Sequence, residues 1–201
     1  MVIIGVTGPS GAGKGSVSEY LATRHKFKVI DADVVYHSII SSPSDCVNEL
    51  VSNFGERILN ENGGIDRKSL SPLVFGEENK EKLLLLNTIT HKYVKNEINK
   101  LIKTYFAENA AVCVIDAPLL IEAGIDEMCD YVIAVIAPKE IRAKRIAMRD
   151  GIDEEAALLR INSQNPDSFY EEKCDFILQN IFLGELGRLV DSYLKCEGLI
   201  Q

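Results

Sequence analysis

A chain of 201 residues, 46% apolar and 26% charged, is long enough to bury a core as one domain with a sub-domain or lid. Lys and Arg number 22 against 30 Asp and Glu, a net charge of −8 that is the wrong sign for non-specific nucleic-acid binding, and no apolar run approaches the about 20 residues of a membrane span. Cys46, Cys113, Cys129, Cys174 and Cys196 are odd in number and form no C-x-x-C pair, which argues against a disulfide framework or zinc site; with no secretory signal in MVIIGVTG, they fit reduced thiols in a cytoplasm.

VIIGVT (residues 2–7) is a β-branched run that reads as a buried strand. Gly8-Pro9-Ser10-Gly11-Ala12-Gly13-Lys14-Gly15-Ser16 follows it. The segment fits the phosphate-cradling pattern G-x-x-x-x-G-K, then departs from it. Gly15 stands where Ser or Thr is usual, and a hydroxyl arrives one residue later at Ser16. Spaced glycines let successive N–H groups face an anion, the following helix adds its positive end, and Lys14 reaches the β- and γ-phosphates. Gly11, Ala12, Gly13, Lys14, Gly15 and Ser16 are therefore the expected nucleotide-binding residues. Gly15 removes no N–H group; it removes a hydroxyl that often touches Mg²⁺. The metal is expected mainly on the phosphates, with Ser16 reaching it directly or through water. The bland alternative, a glycine-rich turn without a ligand, requires three spaced glycines and a lysine to fall together by coincidence.

Residues 16–25 read as an amphipathic helix and 27–31 as a second strand. Asp31 and Asp33 then lie at the end of that strand, and period-two alternation points both the same way. Ligands of open α/β sheets bind at the carboxyl ends of strands, where an aspartate can orient an attacking hydroxyl or accept its proton. Capping the next helix is the competing use, favoured for Asp31; the residues alone leave Asp33 open between capping and catalysis.

Residues 34–108 change character. SSPSD (41–45) is a break, NENGG (60–64) a turn, and Ser71-Pro72 looks like a cap followed by a first-turn proline. A long helical pattern then runs from 77 to about 108, with Val94, Ile98, Leu101 and Tyr105 on one face. His91 lies within it, either an ordinary half-buried histidine or a site residue, and Tyr36 and His37 carry the same ambiguity. AVCVID (111–116) and YVIAVIA (131–137) are further strands. Asp116 ends the first of them, where it could organise Mg²⁺ or substrate, or merely make a turn before Pro118. Residues 139–150 form a helix ended by Gly151, and 153–164 another capped by Asp153. CDFILQN (174–180) is a fifth strand and 184–194 a last helix. Lys139, Arg142, Arg145 and Arg149 recur at spacings of 3, 3 and 4, so one helix face carries four cations. That face is either a phosphate clamp or a solvated surface paired with Glu140 and Asp150; phosphate contact is favoured for Arg145 or Arg149. Strands alternating with helices predict an α/β fold, a parallel five-stranded sheet flanked by helices, with a helical insertion after the second strand and a helical hairpin near 139–164.

The order of motifs resembles the dephospho-coenzyme A kinase family. The likeness rests on IGVTGPSGAGKGS, VIDADVVYH, FGERILNENGGIDRKSLSPLVF, LNTITHKYV, VIDAPLLIEAG and RIAMRDGIDEEAALLRINSQ, which together span most of the chain. The resemblance implies a P-loop kinase that moves the γ-phosphate of ATP, with Mg²⁺, to the ribose 3′-hydroxyl of dephospho-coenzyme A. It implies a core of about 1–33, 109–138 and 165–201, an acceptor-binding insertion of about 34–108 and a lid of about 139–164. Asp33 matches the acid that activates the acceptor hydroxyl, Lys14 the loop lysine, Arg145 and Arg149 the lid arginines, and His91 an acceptor-side histidine. A monomer or small homo-oligomer, with no nucleic acid or membrane partner, completes the expectation. The chain departs from the family's usual G-K-S-T at Gly15-Ser16, from its H-P at His91-Lys92, and from its D-N-N-G at Gln179-Asn180-Ile181-Phe182. The G-K-G-S ending is similar to that of adenylate kinases, which leaves a nucleoside monophosphate kinase as the alternative. A nucleotide-binding switch is the third reading, although no N-K-x-D segment stands in the strand-end loops.

Overall fold

The β-branched runs become strands β1 (Val2–Thr7), β2 (Lys28–Asp31), β3 (Val112–Asp116), β4 (Tyr131–Ile136) and β5 (Phe176–Gln179) in the computed structural model, which describes residues 1–201 except the side chains of Glu77 and Leu183. They form one parallel sheet in the order β2-β3-β1-β4-β5. The helices are α1 (Lys14–Arg24), α2 (Ala32–Ile40), α3 (Asp45–Phe54), α4 (Arg67–Val74), α5 (Lys80–Ala107), α6 (Lys139–Asp150), α7 (Glu154–Asn162), α8 (Asp167–Lys173) and α9 (Leu186–Cys196).

The chain divides into two units, residues 1–29 with 105–201, and residues 30–104. In the first, Ile4, Val6, Val114, Ile133 and Val135 of the central strands are buried with Val17 and Leu21 of α1 and Val190 and Leu194 of α9. Strands covered on both faces must be apolar along their length, which is why these runs lack polar alternation. Asp191 of α9 ties the helices together, accepting from Tyr20 Oη at 2.9 Å and lying 2.8 Å from His25 Nε2. β1 is the middle strand. The chain leaves it for β2 on one side and later returns to β4 on the other, so the loop after β1 sits at a topological switch point.

The second unit is built on Leu50, Ile58, Leu70 and Ile89. Side-chain caps also start α3 and α4: Ser44 Oγ accepts from Val47 N, and Asp66 Oδ1 from Lys68 N, respectively. The second corrects the expectation for Ser71-Pro72. Asp66 also accepts from Ser69 Oγ at 2.6 Å, so α4 starts earlier and Pro72 lies inside it, at the cost of one intrahelical bond. α8 was not expected. Seven residues are too few for periodicity to declare a helix, and only Tyr170 is fully buried.

Candidate active site

Gly8, Gly11 and Gly13 all take positive φ, at 132°, 78° and 103°. Gly13 is the left-handed N-cap of α1, and a Cβ there would collide with Asn180 Nδ2. Gly11 is pressed by α6: a Cβ would lie 2.8 Å from the Arg142 carbonyl oxygen and 3.0 Å from Ile146. Glycine is therefore needed both for conformation and for close approach. The first turn of α1 leaves backbone N–H groups without intrahelical acceptors, an arrangement suited to anions. Lys14 Nζ donates to the carbonyls of Gly8 (2.7 Å) and Pro9 (3.5 Å), which holds its charge over the loop. Gly15 is exposed, has open space where a side chain would go, and needs no positive φ. Ser16 is exposed beside it.

The four cations of α6 part company. Arg145 turns onto the loop, donating to the carbonyls of Gly11 and Ala12 (both 3.3 Å) and of Asn180 (3.2 Å). Burial lowers its pKa, but a guanidinium stays charged at neutral pH. Arg142 is only 2% exposed and holds Ser10 and Gln164. Arg149 pairs with its neighbour Asp150 at 2.7 Å, and Arg160 shares that carboxylate. Lys139 Nζ reaches Asn162 Oδ1 at 3.3 Å. A helix face that looks uniform in sequence thus carries one buried strut, one loop contact and two surface pairs.

Two residues that sequence reasoning did not single out also grip the loop. Asn180, buried just past β5, donates from Nδ2 to the Ala12 carbonyl at 2.8 Å, and its Oδ1 is buried with no hydrogen-bond partner. Gln164, just past α7, accepts from Ser10 N at 3.1 Å. Both act on backbone atoms, so neither leaves a side-chain signature in the loop. Asp116 ends β3 in register with Val6, at the level of the strand that feeds the loop.

In the second unit, Asp31 closes β2 and caps α2, its Oδ1 accepting from Asp33 N (2.9 Å) and Val34 N (3.0 Å). The alternation expected for Asp31 and Asp33 is overturned, because the strand stops at Asp31 and Asp33 is already in the first helical turn, where it is exposed. His91 is half-buried on α5; burial and then the Lys95 cation hold its imidazolium below the usual pKa. A cleft of about 650 Å³ in this unit is lined by Tyr36, Arg67, Lys68, Ser71, Phe75 and Leu86, among others.

No group of three or more His, Cys, Asp and Glu among the described residues could hold a metal ion. The donors near the loop, the Ser16 hydroxyl and Asp116 carboxylate, are hard oxygens, which suits Mg²⁺ shared with phosphates and water rather than a protein cage.

The family model of dephospho-CoA kinase matches residues 2–182. The chain belongs to the dephospho-CoA kinase family. It is 42% identical over 180 residues to the dephospho-CoA kinase of Fusobacterium nucleatum, covering 90% of each protein. Among solved structures, TT1252 from Thermus thermophilus superposes with a TM-score of 0.79 at 28% identity, over 96% of each chain. The dephospho-CoA kinase from Campylobacter jejuni superposes with a TM-score of 0.68 at 30% identity, over 97% of this chain and 98% of that one. No helix among the described residues is long and apolar enough to cross a membrane.

Proposed function

We infer that this kinase transfers the γ-phosphoryl group of ATP to the ribose 3′-hydroxyl of dephospho-coenzyme A, giving coenzyme A, the last step of coenzyme A biosynthesis. One observation carries the reading: the dephospho-CoA kinase family matches the chain from residue 2 to residue 182, phosphate loop included. That match favours neither a nucleoside monophosphate kinase nor a switch.

Phosphoryl transfer asks the protein mainly for positioning and charge stabilisation. The amides from Gly11 to Ser16 take the phosphate oxygens, while Lys14 and Arg145 neutralise charge that develops on them. Asp33 orients the 3′-hydroxyl and accepts its proton as the new O–P bond forms and the bond to the ADP oxygen breaks. His91 and Asp116 help hold the acceptor. Ser16 would hold Mg²⁺, directly or through water; when bound, the ion supplies charge neutralisation at the phosphates. The division of labour we propose has a core of about 1–33, 109–138 and 165–201, an acceptor-binding insertion of about 34–108 and a lid of about 139–164 that carries Arg145 and Arg149. The Arg67–Lys68 cleft gives the insertion two cations for the acceptor's pyrophosphate and apolar walls for its organic arm. Burial raises the thiols of Cys46 and Cys113 to about 11 and those of Cys129 and Cys174 to about 12, so they stay protonated and unreactive; that all five cysteines are free supports a reducing, cytoplasmic setting. We place the enzyme there as a monomer or small homo-oligomer.

A coupled ADP-release assay tests the reading. ADP should form with dephospho-coenzyme A and not without it, and coenzyme A should be the other product. Transfer to AMP or CMP, with none to dephospho-coenzyme A, would overturn it.

A further inference from the structure

Both backbone groups of Ser10, inside the phosphate loop, are taken by side chains from α6 and from the segment just after α7. Its N–H donates to Gln164 Oε1 at 3.1 Å, and its carbonyl accepts from Arg142 Nε at 2.9 Å. The clamp closes on itself, because Arg142 donates from its second nitrogen to the same Gln164 oxygen at 2.8 Å. Arg142 comes from α6 and Gln164 from the residues just after α7, so the outgoing and returning arms of the hairpin meet on one residue. The hairpin has a small apolar cluster of its own, formed by Ala143, Ile146, Ala157 and Ile161. Gln164 is anchored as well, its own N–H bonded to the Ile161 carbonyl at 3.1 Å. Asp167 Oδ1 lies 3.9 Å from the buried guanidinium of Arg142.

We propose that Gln164 is a positioning residue for phosphoryl transfer: one side-chain oxygen, shared between the Ser10 amide and Arg142, sets the path of the phosphate loop and locks it to the seating of the α6–α7 hairpin. This inference rests on the kinase reading above. Three physical points support it. The Ser10 N–H is bonded to Gln164 and not offered to phosphate, so the Gln164 oxygen fixes the peptide that leads into Gly11. A buried arginine costs more than an apolar residue of similar size unless its hydrogen bonds are needed, and here two of them converge on the clamp. The clamp also couples two tasks, since a hairpin that carries Arg145 cannot lift without releasing Ser10. The 139–164 segment is thereby a part of the loop's own support.

The test compares Gln164→Leu with Gln164→Glu in the full-length enzyme, with kcat and KM for both substrates and the thermal midpoint measured for each. Leu removes the accepting oxygen; Glu keeps one in place for both donors. We expect Gln164→Leu to lower kcat about tenfold or more, because misplacing reacting groups by about 1 Å costs up to about a hundredfold. KM for dephospho-coenzyme A should stay within about twofold, and Gln164→Glu should recover most of the lost kcat. A Leu variant with wild-type kcat per folded molecule overturns the proposal, whatever its thermal midpoint. So does a Glu variant as impaired as the Leu one, because the oxygen would then not be what matters. Wild-type enzyme that makes no coenzyme A would instead overturn the functional reading, so the two failures are distinct.

Discussion

Gly13 and Gly15 stand two residues apart and answer to different constraints. Gly13 has φ +103° and Asn180 against the place where a Cβ would go; Gly15 has ordinary backbone and open space. Gly13→Ala should cost about 1–3 kcal/mol in backbone strain alone and abolish nucleotide binding. Gly15→Ser should fold and turn over, gaining a few tenths of a kcal/mol at most from better helix propensity. Thermal melts and titration with a fluorescent ATP analogue separate the two. Asp33→Asn should keep the affinity for that analogue and lose kcat by about a hundredfold or more, the scale of a positioned acid–base group. Near-full turnover would remove Asp33 from its role. His91 gives a pH prediction. Its folded pKa lies below the ordinary value, so the neutral ring is the form the fold prefers. The stability it contributes is complete above the unfolded value of about 6.5 and declines as pH falls from there toward the folded pKa. An NMR titration should place its midpoint below 6.5, and His91→Gln should flatten the stability profile in that window.

Among elements, the α6–α7 hairpin is largely legible: the helix over 139–150, the Gly151 stop and the Asp153 cap all stand as the sequence suggests, while the second helix ends at Asn162 rather than at 164. Capping and helical periodicity are local rules, so a single sequence displays them. The work of each cation on α6 was not legible, because spacings of 3, 3 and 4 say that residues share a face and nothing about what packs on it. Asp31 and Asp33 misled for a related reason. Alternation holds only while a strand continues, and the Asp31 cap ends it. Ile146 joins hairpin and loop, fully buried and against Gly11. Ile146→Ala should therefore cost about 2–5 kcal/mol. Urea melts with and without an ATP analogue should show the loss of stability together with weakened nucleotide binding.

For the molecule as a whole, a net charge of −8 surrounds a loop at which Lys14 and Arg145 converge. Ligand binding should then dominate measured stability. ATP at about a hundred times its Kd should add about 2.7 kcal/mol, which for a chain of this size is roughly 5–10 °C in Tm. Lys14→Ala should erase most of that shift in a thermal-shift assay, measured from an unliganded Tm that itself falls with the loss of the bonds to the Gly8 and Pro9 carbonyls.

What the amino-acid sequence determined by itself is what has a local cause: the β-branched strands, the glycines and lysine of the loop, the Asp31 and Asp153 caps, and the motif order by which the family is recognised. What only the tertiary structure decided is which distant groups meet the loop. Ser10 meets Arg142 across 132 residues and Gln164 across 154, and Ala12 meets Asn180 across 168. Those contacts are made to main-chain atoms that every residue possesses. They depend on strand order and helix packing rather than on side-chain identity in the loop, and so they come into being only when the sheet brings β4, β5 and the loop after β1 to one edge.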